Sequence, residues 1–143
     1  MNVEHILSDK GRQVETIAPQ ASLMEAARTL SEKRIGAVLV SDAGHPFLGI
    51  LSERDIVRAV AADGADALDQ PVSRYMTSKV VTCTTRSAIN DLMETMTRGK
   101  FRHVPIVENG RLIGIVSIGD VVKYRVAEIE TESRALRDYI ATA

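Results

Sequence analysis

Apolar and polar positions along this chain follow two periods in turn, and the succession occurs twice. Residues 14–17 read as a short strand that Pro19 ends. Ser22-Leu23-Met24-Glu25 has the form of a capping box, each end satisfying the other's backbone N–H, and it opens a helix. Within that helix Leu23, Ala26, Ala27 and Leu30 fall at i, i+3, i+4 and i+7, one apolar stripe. Ala37-Val38-Leu39-Val40 is continuously apolar, as in a strand covered on both faces. Asp42-Ala43-Gly44 supplies turn chemistry, residues 47–51 read as the next strand, and a helix follows Ser52.

The second half repeats this plan. Cys83 lies in an apparent strand between Thr82 and Thr84, and Ile89, Leu92, Met93 and Met96 form the helix stripe. Val104 to Val107 is a strand, Glu108-Asn109-Gly110 a turn, and Leu112 to Val116 the paired strand. Pro105 has no N–H for a ladder, so it marks an edge or a special position. The predicted order is strand, helix, strand, strand, helix, twice. Residue identities repeat as well. Ile50-Leu51-Ser52-Glu53-Arg54-Asp55-Ile56-Val57 returns as Ile115-Val116-Ser117-Ile118-Gly119-Asp120-Val121-Val122, each after a glycine, Gly49 or Gly114. The offset is 66 residues early in the unit and 65 after Pro46, which has no counterpart. A lead-in recurs too: Val3 to Leu7 resembles Val72 to Met76. A repeat of this length means two related units. The expected organisation is a lead-in and first repeat over 1–66, a connection and second repeat over 67–126, and a helical tail over 127–143.

The tail carries its own pattern. Val122, Val126, Ile129, Ser133, Leu136 and Ile140 are spaced 4, 3, 4, 3 and 4, a heptad-like stripe with charges between. Two readings stand: one long helix packed against its own module, or a contact in a homodimer. Two heptads are too few to stand alone as a coiled coil.

Composition narrows the function classes. Net charge is −1 with both signs interleaved, so there is no electrostatic footprint for nucleic acid and no polybasic membrane patch. No apolar run approaches the ~20 residues of a membrane span. The single cysteine, Cys83, suits a reducing compartment, and nothing N-terminal reads as a signal peptide, so a cytoplasmic protein is expected. There is no phosphate-binding P-loop, no Gly-x-Gly-x-x-Gly, and His5, His45 and His103 are too scattered for a metal site. No enzyme is expected.

Two sets of residues could carry chemistry. Ser52-x-x-Asp55 and Ser117-x-x-Asp120 stand where a helix begins. One reading is structural, a near capping box. The other is a binding site: the helix N-terminus attracts a phosphate, Ser donates to it, and Asp accepts from two sugar hydroxyls. Gly119 would let backbone approach a ligand closely. The second set is basic. Lys33, Arg34 and Lys100 read chiefly as cations favoured at a helix C-terminus, while Arg102 and His103, with Arg54, suit phosphate contact.

In order and twice over, these motifs resemble a tandem pair of CBS domains, the cystathionine-β-synthase-type repeat that forms a Bateman module. The resemblance covers nearly the whole chain. It rests on Gly49 to Asp55, on Arg102 to Val107, on Gly114 to Asp120 and on the lead-in Tyr75-Met76-Thr77. It implies an α/β fold of two pseudo-twofold-related β-α-β-β-α repeats. It also implies an adenosine ligand (AMP, ADP, ATP, NAD(H) or S-adenosylmethionine) in a cleft between them. Asp55 and Asp120 match the ribose-binding position and Ser52 and Ser117 the hydroxyl beside it. Arg54, Arg102 and His103 match positions that reach phosphates, and Thr16 and Thr82, on the first strands, line the adenine and sugar pocket, with Thr77 from the lead-in. Backbone at Gly36, Ala37 and Val38, and at Val104 and Pro105, meets the base, and Gly119 stays within the pattern. Glu53-Arg54 against Ile118-Gly119 predicts two unequal sites. The implied role is a regulatory sensor that changes conformation, is a homodimer and acts on a separate effector protein. The alternative is a ligand-free interaction or scaffold module.

Overall fold

The computed structural model describes residues 1–142. In chain order its elements are α1 (Val3–Lys10), β1 (Thr16–Ile17), α2 (Leu23–Lys33), β2 (Ala37–Val40), β3 (Gly49–Ser52), α3 (Glu53–Asp63), a 3₁₀ segment (Gly64–Asp69), α4 (Val72–Tyr75), α5 (Ile89–Gly99), β4 (His103–Glu108), β5 (Arg111–Ser117) and α6 (Ile118–Thr142). They form two compact units. One is Gln13–Val81; the other joins Met1–Arg12 to the chain from Thr82 onward.

In the Gln13–Val81 unit the strands lie in the order β1-β2-β3. β1 runs parallel to β2, pairing Thr16 with Leu39, and β2 runs antiparallel to β3, pairing Ala37 with Ser52. As the central strand, β2 is buried at all four positions, which explains its unbroken apolar run. Ala26 and Leu30 of α2 pack with Val38, Val40, Leu51 and Val72. The Ser22 hydroxyl accepts the Glu25 N–H at 3.1 Å, the half of the expected box that the structure makes. Arg34 and Lys100, 66 residues apart, end α2 and α5 in the left-handed conformation, with φ 55° and 57°. They are helix C-caps, as their position after each stripe suggested.

The other unit pairs β4 with β5, Val104 opposite Val116 and His103 opposite Ser117. Its core is Val3, Ile6 and Leu7 of α1 against Ile89, Leu92, Met96, Val104, Ile106, Val116 and Val121. The strand expected at Thr82 is not formed. Cys83 makes a single parallel bridge to Ile106, and Thr82 lies outside it. Pro105 is the reason. In the first unit the Leu39 N–H bonds the Glu15 carbonyl and the Ser41 N–H the Ile17 carbonyl, both at 3.0 Å. Pro105 stands where Leu39 stands and has no N–H, so only the second bond recurs, from Val107 N–H to the Cys83 carbonyl at 2.9 Å. Half-burial pushes the Cys83 thiol up despite the Ser87 hydroxyl beside it, which makes it a poor nucleophile.

Each unit is completed by the lead-in that precedes the other repeat in sequence. Residues 72–77 close the Gln13–Val81 unit: Val72 is fully buried, and Thr77 and Ile50 exchange N–H···O=C bonds at 2.9 Å. A Cβ on Gly49 would stand 2.6 Å from the Thr77 carbonyl oxygen. In the other unit α1 takes this place, and a Cβ on Gly114 would stand 2.8 Å from Leu7 Cδ2. The glycine before each Ser-x-x-Asp motif therefore clears room for a lead-in.

The last helix, α6, is one element of 25 residues rather than a repeat helix plus a separate tail. Val121 is buried, and Ile118 and Tyr124 pack beside it. The Tyr124 hydroxyl donates to Asp9 of α1, which pushes the phenol up to about 12. Val122, Val126, Ile129, Leu136 and Ile140 remain exposed, so the heptad stripe does not face its own module.

Candidate functional site

The Ser-x-x-Asp motifs build the same cradle in both units. Ser52 ends β3 and N-caps α3. Its N–H reaches Asp55 Oδ2 at 2.9 Å, its hydroxyl donates to the same oxygen at 3.1 Å, and the hydroxyl oxygen accepts the Asp55 N–H at 3.3 Å. At Ser117 and Asp120 the distances are 2.9, 3.0 and 3.2 Å. The strand beside each motif adds a further bond. The Glu53 N–H donates to the Gly36 carbonyl at 3.0 Å, and the Ile118 N–H to the Arg102 carbonyl at 2.8 Å. The structural and binding readings of the motif are thus joined: a full capping box fixes each carboxylate by one oxygen.

This geometry changes the expected division of labour. The serine proton is directed at its own aspartate, so neither Ser52 nor Ser117 offers it to a phosphate in this arrangement. Two of the first three N–H groups of each helix are already bonded within the protein, which leaves little of an anion cradle. What faces a ligand is the second carboxylate oxygen, a fixed acceptor of the kind that recognises a sugar diol; that of Asp55 also has the Thr77 hydroxyl at 3.4 Å and Arg58 at 4.0 Å.

Other expected site residues are placed as follows. In the Gln13–Val81 unit Ala37 and Val38 are buried in β2, beside the half-buried Gly36. Thr16 is exposed on β1, one strand away, and Arg54 is exposed on the first turn of α3. Thr77 is brought to the carboxylate: its hydroxyl lies 3.4 Å from Asp55 Oδ1. In the other unit the exposed Arg102 and half-buried His103 lead into β4, where Val104 and Pro105 are buried, and Gly119 is exposed beside Ser117. Thr82 alone is missing from the expected strand edge. His5 and His45 serve local turns, bonding Asn2 and Asp42.

The two carboxylates have unequal surroundings. Asp55 is 8% exposed. Arg58 stands 4.0 Å from its Oδ1, whereas Asp120 is more open and holds a closer cation: Lys10 Nζ lies 2.6 Å from its Oδ2. Burial alone raises the Asp120 carboxyl, but the Lys10 ammonium and the Ser117 N–H and hydroxyl outweigh it, and the group sits below the usual carboxylate range. Lys10 belongs to a lead-in 110 residues away, and no local pattern links it to Asp120.

The Lys10–Asp120 pair gives a pH-dependent stability. A depressed carboxyl contributes stability that is present above its unfolded value and lost as pH falls through the folded one. Lys10→Met is expected to lower the unfolding free energy by up to about 1 kcal/mol at neutral pH, as for a partly exposed pair. Below the folded-state titration of Asp120 the variant and the parent should converge. Urea denaturation at neutral and acid pH checks this; a difference that persists at low pH would assign the loss to packing of the lysine stem instead.

Comparison with known proteins decides the family. The model of the CBS domain matches residues 3–62 and again 72–127. The chain belongs to the CBS-domain family. Its mixed α/β architecture matches solved CBS pairs. The CBS-domain protein ATU1752 from Agrobacterium tumefaciens superposes with a TM-score of 0.85 at 55% identity, over 87% of this chain and 99% of that one. The CBS-domain protein PAE2072 from Pyrobaculum aerophilum, solved in complex with AMP, superposes with a TM-score of 0.73 at 30% identity, over 84% and 89% of the two chains. An uncharacterized 17.7 kDa protein of Acidianus ambivalens is 38% identical over 112 residues, 78% of this chain. The chain spans 66% of the length of that relative and 21% of the length of the Arabidopsis thaliana protein CBSCBSPB5. CBS-domain pairs are typically regulatory rather than catalytic. Among the described residues no helix is long and apolar enough to cross a membrane.

Proposed function

We propose that this CBS pair is a regulatory module that binds an adenosine nucleotide (AMP, ADP, ATP or NAD(H)) with Asp55 and Asp120 as the two ribose-recognising groups. The observation that supports this reading is the cradle: in both units one aspartate oxygen is fixed by its serine in the same three bonds, which turns the other toward a diol, with the Thr77 hydroxyl and Arg58 already beside that of Asp55. The AMP complex of a relative 30% identical over most of the chain supports the ligand class. Thr16, Gly36, Ala37, Val38, Thr77, Thr82, Val104, Pro105 and Gly119 complete the proposed lining, with Arg54, Arg102 and His103 as the basic residues on the phosphate side. Lys10 on one carboxylate and Thr77 on the other make the sites unequal, so binding is expected in two steps.

In this reading the ligand is not consumed. It binds one conformation better than another, and the difference in affinity is what shifts the population. The module acts as a cytoplasmic homodimer on a separate effector protein, with no role for nucleic acid or a membrane. The second reading, a ligand-free interaction module, is favoured by the exposed stripe of α6. The two differ in a simple test: protein purified without added nucleotide is acid-precipitated and the supernatant is examined for adenine absorbance and identified by chromatography. With no tryptophan in the chain, the intact protein can be examined in the same way. A stoichiometric adenosine compound supports the sensor. Folded protein that neither carries nor takes up such a compound supports the interaction module.

A further inference from the structure

We propose that α6 pairs with α6 of a second copy of this chain as a short parallel, in-register coiled coil; this rests on the homodimer in the reading above and specifies how it is made. From Ile129 onward the helix is exposed on every side except at Ser133, and its apolar residues are not covered by their own module: Ile129 is 48%, Leu136 59% and Ile140 65% exposed. A helical segment of this length is marginal in water unless its apolar face is buried. The stripe repeats every three and four residues, the period of a two-helix seam.

Charge selects the partner and its direction. With Val126, Ser133 and Ile140 at the a positions and Val122, Ile129 and Leu136 at d, the flanking g positions are Arg125 and Glu132 and the e positions Lys123, Glu130 and Arg137. In a parallel pair each g residue faces the following e residue of the other helix. Glu132 then meets Arg137 of the second copy, and Arg125 meets its Glu130, all opposite in sign. Arg125 is already bound to Glu128 in its own helix at 2.7 Å and only loosely to Glu132, at 3.9 Å, so the main weight falls on Glu132 and Arg137. An antiparallel pair with the whole stripe overlapped would set Glu130 against Glu130, Glu132 against Glu132 and Lys123 against Arg137, all repulsive; a shift by one heptad relieves these contacts but leaves part of the stripe unburied. In the seam, β-branched Val126 and Ile140 at a with Leu136 at d suit two parallel strands, while Val122 and Ile129 at d do not add to that preference, and Ser133 is the one polar residue at an a position. Ser133 meets its own counterpart only in the parallel, in-register pair; the antiparallel one sets it against Ile129.

The test uses the full chain. Light scattering after size exclusion should give a dimer, and Leu136→Glu, at an exposed position that leaves the fold intact, should raise its dissociation constant at least tenfold. Glu132→Arg and Arg137→Glu should each weaken the dimer, and the two together should restore it. In a Cys83→Ser background, Ser133→Cys should give a disulfide-linked dimer on mild oxidation. A monomeric parent chain overturns both the homodimer and the pairing. A dimer indifferent to Leu136→Glu, with no link through position 133, leaves the homodimer standing and overturns the pairing.

Discussion

Asp55→Ala combined with Asp120→Ala is expected to abolish measurable nucleotide binding, and each change alone to weaken one of two binding steps. Losing a hydrogen bond to a charged group costs about 1.5–3 kcal/mol, or roughly 10–150-fold in affinity. The structure adds a qualification that the motif alone would not show. Asp55 also accepts the Ser52 N–H and hydroxyl, so alanine there opens the cap of α3 and should cost about 1 kcal/mol of stability. Asp55→Asn and Asp120→Asn separate the two effects. They keep an oxygen and the side-chain shape but remove the charge, so binding should still fall while the denaturation midpoint moves less. Titration and urea unfolding on the same samples read both quantities. If both affinities survive the double alanine change, ribose recognition by these aspartates is wrong.

Gly49→Ala is expected to be the most destabilising single methyl that can be added to the chain's two motif glycines, and Gly114→Ala to be mild by comparison. The added Cβ at position 49 would lie 2.6 Å from a backbone oxygen, that of Thr77, which is held by its exchange of hydrogen bonds with Ile50. Backbone has to move, and overpacking of this kind costs ~1–3 kcal/mol. At position 114 the obstacle is the tip of Leu7, Cδ2 at 2.8 Å, which a rotamer change can carry away at a cost of about 0.5–1.5 kcal/mol. Equal losses in urea denaturation would mean that the lead-in at Thr77 is not held as the structure places it.

Local chemistry in this protein was legible and exchanged contacts were not. The run Ala37 to Val40, the stripes of α2 and α5, the turn at Gly110 and the serine caps all follow from neighbours within a few residues, and all are present. The strand expected at Thr82 failed for a reason already written at Pro105: one missing N–H, at the position where Leu39 makes the ladder. Seeing it required knowing which of the two parallel bonds each residue supplies. The lead-ins were recognised as a repeat, but nothing in Val3 to Lys10 says that this segment packs with residues more than 100 positions away, so Lys10 escaped notice. Ser52 and Ser117 cap their helices as the motif predicts, and in this structure their hydroxyls donate to the aspartate three residues on. A hydroxyl within reach of an aspartate three residues on gives its proton there first, and the repetition of that bond in both units makes it a built feature rather than an accident of one loop.

Recognition of an adenosine nucleotide by Asp55 and Asp120 is open to direct measurement. Calorimetric titration of ligand-stripped protein with AMP, ATP and NAD, each in parallel with the Asp55→Asn, Asp120→Asn double variant, tests it most directly. Saturable binding of at least one of them in two unequal steps is expected, lost in the variant. Folded protein that gives no heat with any of them, or a variant that binds as the parent does, would contradict it.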